Sequence, residues 1–121
     1  MADPVGLGVE HCYALFEYAK SQAKEVGYLL AFGTAVNAEG VHADTMKGMK
    51  LIVERAGLDW STASNILQTA EYDKQWRYWA EQNLRELLSQ GLWGVPSVRF
   101  GELSFWGQDR IWRLEKQIQA L

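Results

Sequence analysis

The residues whose types and spacing suggest chemistry lie in the segment 91–110. Val95-Pro96 leads into a strand pattern, and Gln108-Asp109 opens an amphipathic helical pattern. A cis X-Pro bond exposes the backbone N–H and C=O before it, which can then pair with an extended ligand. A helix start offers free N–H groups that favour carboxylates and other anions. These four residues are therefore the candidate binding residues.

Each candidate also has an ordinary structural interpretation, which the sequence leaves open. Pro96 fits a trans proline in a surface loop, because cis bonds are about 5–6% of X-Pro bonds in folded proteins. Asp109 fits a helix cap, a role that is compatible with ligand binding. Trp106 is a candidate wall of a ligand pocket, although strand tryptophans are more often part of a core.

The elements that position these residues are a hairpin and the helix after it. Ser97–Phe100 and Leu103–Trp106 both alternate in polarity, with Val98 and Phe100 on one face. Gly101-Glu102 between them predicts a two-residue turn. The pattern from Asp109 to Leu121 predicts a final helix with one apolar stripe facing inward, formed by Ile111, Leu114, Ile118 and Leu121.

The chain before this segment predicts about five helices. Their expected boundaries are a stop at Gly27, a cap at Asp44, a cap at Asp59 and a stop at Gly91. The predicted inward stripe of the first helix runs at spacings of three and four, through Val9, Cys12, Tyr13, Phe16, Ala19, Ala23 and Val26.

Other residue types exclude several kinds of chemistry. Cys12 is the only cysteine and lies on an apolar stripe, so we expect a buried, inert thiol and no internal disulfide. His11 precedes it, but neighbours on a helix point in different directions, which argues against a nucleophile–base pair. No His, Cys and Asp cluster has the spacing of metal ligands, so we expect no metal site within the chain.

Composition limits the class of protein. A chain of 121 residues suits one domain of ordinary size. A net charge of −3 argues against nucleic acid or an acidic membrane as a partner. The first residues lack a secretory signal pattern, and with a single cysteine this predicts a cytoplasmic location.

The segment 91–110 resembles a known protein family. Gly-Val-Pro at 94–96 is followed ten residues after its proline by Trp-Gly-Gln-Asp-Arg at 106–110. This pair of motifs resembles the end of the DsbA-like thioredoxin-fold proteins, in the branch of 2-hydroxychromene-2-carboxylate isomerases and kappa-class glutathione transferases. The resemblance is sharpest over 91–110 and extends more loosely over the whole chain.

The resemblance implies an α+β fold that is mostly α. Residues 1–90 would be a helical insertion domain, and 91–121 the C-terminal hairpin and helix of a thioredoxin-like domain. The family's strand–helix–strand unit comes before such helices and has no counterpart here, so we expect the chain to be the C-terminal part of a longer protein or a natural half. The family's catalytic serine or cysteine lies in that unit, so no position matches it.

The resemblance also implies a ligand. In the family the proline matching Pro96 is cis, and the backbone matching Val95 pairs with a substrate peptide or glutathione. The residues matching Gln108 and Asp109 bind the γ-glutamyl end of glutathione. We therefore expect glutathione as the candidate cofactor of the full-length protein, and no metal.

Two functions follow as alternatives. In the first, the chain is part of a thiol–disulfide oxidoreductase or glutathione-dependent isomerase or transferase, supplies the substrate-side wall and is inactive alone. In the second, it is a non-catalytic interaction or dimerisation domain that kept the fold without the nucleophile. In either case we expect self-association or pairing with the missing N-terminal half, because a two-stranded hairpin is marginal on its own.

Overall fold

The computed structural model describes residues 1–69 and 72–121, with side chains from residue 75 onward in the second range. It confirms the α+β, mostly α class: the described residues are mostly helical, and their strands form one two-stranded antiparallel sheet. The helices and strands, in order, are α1 Leu7–Ser21, α2 Glu25–Gly33, a π-helical turn Thr34–Ala38, α3 Met46–Arg55, α4 Trp60–Gln68, α5 Tyr72–Ser89, β1 Ser97–Phe100, β2 Leu103–Trp106, a 3₁₀ turn Gln108–Arg110 and α6 Ile111–Gln119.

The described chain forms two compact units, Met1–Tyr78 and Trp79–Leu121. We call the first the helical unit and the second the hairpin unit. The division between them falls within α5, whereas the domain boundary expected from the sequence, between residues 90 and 91, stays a prediction.

The helical unit contains the hydrophobic core of the described chain. Its buried side chains come from the first four helices and the segments between them, and burying each large one contributes about 1.5–3 kcal/mol. The members of this core are Cys12, Leu15, Ala19, Tyr28, Ala31, Ala35, Val36, Ala43, Met49, Ile52, Val53, Leu58, Ala63 and Leu67.

The predicted end of the first helix is wrong. The helix ends at Ser21, and Ala23 adopts a left-handed φ of 55° where Gly27 was expected to stop the helix. The Lys24 amide donates to the Ala19 carbonyl at 2.9 Å. This hydrogen bond is typical of helix ends at which a residue, usually glycine, is left-handed. Gly27 lies inside the next helix instead.

The predicted inward stripe of α1 is wrong in part. Cys12 and Ala19 are buried as expected, but the buried face continues through His11 and Leu15. Tyr13 is exposed instead, and its ring lies 5.6 Å from that of Trp76. The stripe at 8, 11, 12, 15 and 19 has the same helical spacing, so periodicity alone did not separate the two faces.

The predicted caps of α3 and α4 had different outcomes. Asp59 is confirmed as the cap of α4, because its carboxylate accepts the Thr62 amide at 2.7 Å, and this bond lowers the pKa of Asp59. Asp44 does not cap α3. Thr45 does so, with its hydroxyl accepting the Gly48 amide at 3.0 Å.

Within the described residues, no helix has both the length and the apolar character that crossing a membrane requires.

Candidate functional site

The hairpin carries the candidate site and forms as the sequence predicts. Val98 lies opposite Phe105, and Phe100 opposite Leu103, so these four side chains share one face of the sheet. Gly101 has a φ of 59° in the turn between the strands, a conformation that glycine adopts without a steric cost.

Phe105 anchors the hairpin to the last helix. It is the only buried hydrophobic residue among the described residues of the hairpin unit, with 6% of its surface exposed. The guanidinium carbon of Arg113, on α6, lies 5.8 Å from the centre of its ring. This cation–π contact places α6 beside the apolar face of the hairpin.

The loop before β1 and the turn before α6 are joined directly. The Gly107 amide donates a hydrogen bond to the Pro96 carbonyl at 2.9 Å. Ser97 and Trp106 then pair as the first and last residues of the hairpin. Val95 and Pro96 are thus held at the same end of the hairpin as Gln108, and the Val95–Pro96 peptide bond is cis.

The backbone groups of Val95 are unpaired within the described part of the chain. Its side chain is 78% exposed. Neither its amide nor its carbonyl has a hydrogen-bond partner among the residues that the structure describes. Buried backbone groups are nearly always paired in proteins, so two exposed, unpaired groups at one residue are available to pair with an incoming chain.

Asp109 lies in the 3₁₀ turn that leads into α6 and is exposed. One oxygen of its carboxylate occupies the space that a Cβ on Gly107 would take. Gly107 has a φ of 106°, a conformation that favours glycine there. Among the described residues, none donates a hydrogen bond to the Asp109 carboxylate, so the structure shows no capping by this side chain.

Trp106 lines a shallow cleft together with Trp93, their ring centres 5.0 Å apart. The cleft has a volume of about 150 Å³. Typical small-molecule sites are about 300–1,000 Å³, so it holds at most part of a ligand. The other candidate residues, Val95, Pro96, Gln108 and Asp109, do not line it.

Gly94 has a role at this cleft that the sequence analysis missed. A Cβ at Gly94 would lie 2.6 Å from Cδ1 of Trp106, so only glycine lets the indole pack against the loop. The hairpin pairing contained a signal for this contact. Gly94 lies three residues before Ser97, and Ser97 pairs with Trp106, so the hairpin brings Gly94 and Trp106 to the same end of the sheet.

The thiol of Cys12 is unsuited to nucleophilic chemistry. It is buried, with 6% of its surface exposed, and burial raises its pKa to about 11. The thiolate is the reactive form, so little of it exists at neutral pH. The buried ring of His11 donates from Nδ1 to the Ala43 carbonyl at 2.8 Å, a structural contact. No group of three or more metal-ligating side chains occurs in the part of the chain that the structure describes.

Comparison with known proteins gives one informative similarity. No family model matches the chain, and no solved structure matches it. The chain is 28% identical over 110 residues to a 2-hydroxychromene-2-carboxylate isomerase from Pseudomonas putida, an alignment that covers 88% of this chain and 50% of that protein. The chain therefore spans about half the length of the curated relative it matches, and the similarity supports, at a distance, the resemblance to the DsbA-like isomerases.

Proposed function

We propose that the chain is the substrate-side portion of a glutathione-dependent isomerase or transferase, or of a related DsbA-like thiol–disulfide oxidoreductase. It supplies a binding surface for the ligand and no nucleophile, since its one cysteine is buried with a raised pKa. The similarity to an isomerase supports the class of enzyme. The geometry of the hairpin end supports the role within it.

The observation that carries this proposal is the hydrogen bond from the Gly107 amide to the Pro96 carbonyl. It holds the unpaired backbone of Val95 and the turn containing Gln108 and Asp109 at one end of the hairpin. A peptide-like ligand with an amino-acid head group requires both features, one along its backbone and one at its charged end.

The proposed arrangement of glutathione uses three kinds of contact. The carboxylate of the γ-glutamyl group meets the backbone amides of Gln108 and Asp109. These amides are free within the described chain because the first hydrogen bond within the turn is donated by the next residue, from the Arg110 amide to the Gly107 carbonyl at 3.2 Å. The ammonium group meets the Asp109 carboxylate. The cysteinyl backbone pairs with Val95 as an added strand would.

Nuclear magnetic resonance tests this arrangement. We expect glutathione, titrated into the ¹⁵N-labelled full-length protein, to shift the amide signals of Val95, Gln108 and Asp109 in a saturable way. Signals from the helical unit serve as the internal reference. Saturable shifts confined to the helical unit, or none at all, would contradict the proposal.

The second candidate function, a non-catalytic interaction or dimerisation domain, is favoured by the surface of α6. Among the described residues none of this helix is buried. Ile111 and Ile118 are about half exposed, and Leu121, just after the helix, is 91% exposed. These residues recur at helical spacing, and such a stripe is typical of a surface that packs against another chain or segment.

Sedimentation velocity tests the second candidate. If α6 pairs between copies, we expect the protein to sediment as a dimer, and Ile118→Glu to convert it to a monomer because a charge would be buried in an apolar contact. Gln119→Glu adds the same charge at the next, polar position and should leave the dimer intact. A native protein that sediments as a monomer at all concentrations would exclude dimerisation through α6, and circular dichroism verifies that both variants are folded.

A further inference from the structure

A second concave surface is lined wholly by residues of the helical unit, and none of them is a ligand contact proposed above. It is a cavity of about 400 Å³ between the loop 40–45 and the beginning of α3. Its volume falls within the about 300–1,000 Å³ of small-molecule sites. Its walls include Val41, Lys47 and Leu51.

The loop that forms one wall is held in place from two sides. The Val41 amide donates to the Ala35 carbonyl at 2.9 Å, in the π-helical turn. The Ala43 carbonyl accepts a hydrogen bond from the buried ring of His11 at 2.8 Å. Both contacts reach from the core to the loop 40–45, so the wall is pre-formed and a ligand need not order it.

The other wall is the first turns of α3. Gly48 lies against the backbone of His42 so closely that a Cβ would come within 2.7 Å of the His42 carbonyl carbon. The helix and the loop therefore meet in close contact at two residues that both line the cavity. Lys47 and Leu51 are four residues apart on α3 and lie on the same side of it, one charged and one apolar.

Among the described residues that line the cavity, Lys47 is the one lysine or arginine. The His42 ring lies 3.6 Å from the Asp44 carboxylate, and Lys50, on the same helix, lies 3.8 Å from Glu54. Lys47 has no ion-pair or hydrogen-bond partner among the residues that the structure describes. The cavity thus combines the apolar side chains of Val41 and Leu51 with the unpaired ammonium group of Lys47.

We propose that this cavity binds a small apolar carboxylic acid, with its carboxylate at Lys47 and its ring or alkyl body against Val41 and Leu51. One cation matches one negative charge, and the apolar walls disfavour a strongly hydrated ligand such as a free phosphate. This site shares no residue with the glutathione site proposed above, because all its lining residues belong to the helical unit.

The probe for this proposal is 1-naphthoate, with uncharged 1-naphthalenemethanol as its partner. We expect saturable binding of 1-naphthoate, measured by amide shifts at 40–51 in the ¹⁵N-labelled protein. Lys47→Gln should weaken that binding about fivefold, as expected of a charge contact that solvent partly screens, and leave 1-naphthalenemethanol unaffected. The matched control, Lys50→Gln, removes an ion-paired lysine one turn away and should leave both affinities unchanged.

A second variant tests the apolar wall. Leu51 is 39% exposed, so Leu51→Ser should fold, and thermal denaturation verifies this. We expect it to weaken binding of both probes about threefold or more because it removes apolar contact area. The proposal is overturned by an absence of saturable binding, by equal losses in the two lysine variants, or by shifts that map outside 40–51.

Discussion

Replacing Gly48 with alanine is expected to destabilise the protein by about 1–3 kcal/mol, the usual cost of forcing an extra carbon into a packed site. The new Cβ would lie 2.7 Å from the carbonyl carbon of His42 and 3.1 Å from the hydroxyl oxygen of Thr45. The first of these is backbone, which cannot rotate away. The loop must shift, and the hydrogen bond of 2.7 Å from the Thr45 hydroxyl to the His42 carbonyl is lost or lengthened.

The matched control for this change is Gly27→Ala. Gly27 is the third residue of α2, as Gly48 is the third residue of α3. Apart from its chain neighbours and the backbone of its own helix, no described atom lies within 4 Å of the place where its Cβ would stand. Alanine loses less conformational freedom on folding than glycine, so Gly27→Ala should stabilise the protein by about 0.5–1 kcal/mol.

Urea denaturation followed by circular dichroism measures both variants against the unchanged protein. The expected result is a midpoint at lower urea for Gly48→Ala and at higher urea for Gly27→Ala. Two stabilising substitutions would show that helix propensity outweighs the contact with His42, and that the loop 40–45 yields at little cost.

The caps and stops of the helical unit show which local structure the sequence specified by itself. Asp59 was predicted because a good capping residue precedes an apolar helical pattern without a rival beside it. At α3 two capping residues are adjacent, and Thr45 caps the helix while Asp44 lies near His42. Local preference ranks aspartate above threonine as a cap. The structure overrides this ranking, and the Thr45 hydroxyl bonds both the Gly48 amide and the His42 carbonyl.

The end of α1 could not be read from the sequence for a different reason. The left-handed position is occupied by Ala23, whereas helix ends of this type usually have glycine there. The nearest glycine, Gly27, was therefore a reasonable but wrong prediction. The conformation of Ala23 is maintained by the surrounding structure, in which Tyr28 is fully buried and donates to the Cys12 carbonyl at 2.8 Å.

The hairpin end was predictable to a greater extent because its signals are local. The two strands, the Gly101 turn and the start of the final helical segment all follow from residues adjacent in sequence. The sequence does not, however, predict what lies against α6. Periodicity predicted an inward stripe, but Ile111 and Ile118 are about half exposed in the described chain. A helical pattern identifies the residues that share a face, and only a tertiary or quaternary contact determines what covers them.

The largest effect on ligand binding is expected from Asp109→Ala in the full-length protein. In the proposed arrangement the Asp109 carboxylate meets the ammonium group of the γ-glutamyl end. A charge-assisted hydrogen bond of this kind contributes about 1–3 kcal/mol, which corresponds to a loss of affinity for glutathione of about five- to 150-fold. Asp109→Asn keeps the shape and one acceptor oxygen but removes the charge, so its loss should be smaller.

The control for this prediction separates binding from stability and from net charge. Glu102→Ala removes an exposed carboxylate in the hairpin turn, at the opposite end of the strands, and should leave the affinity unchanged. Because no described residue donates a hydrogen bond to the Asp109 carboxylate, the substitution should change thermal stability little. Isothermal titration calorimetry with glutathione and thermal denaturation of the same samples measure both quantities. A folded Asp109→Ala variant that binds glutathione as tightly as the unchanged protein would remove Asp109 from the proposed site and leave the unpaired backbone of Val95 as its main support.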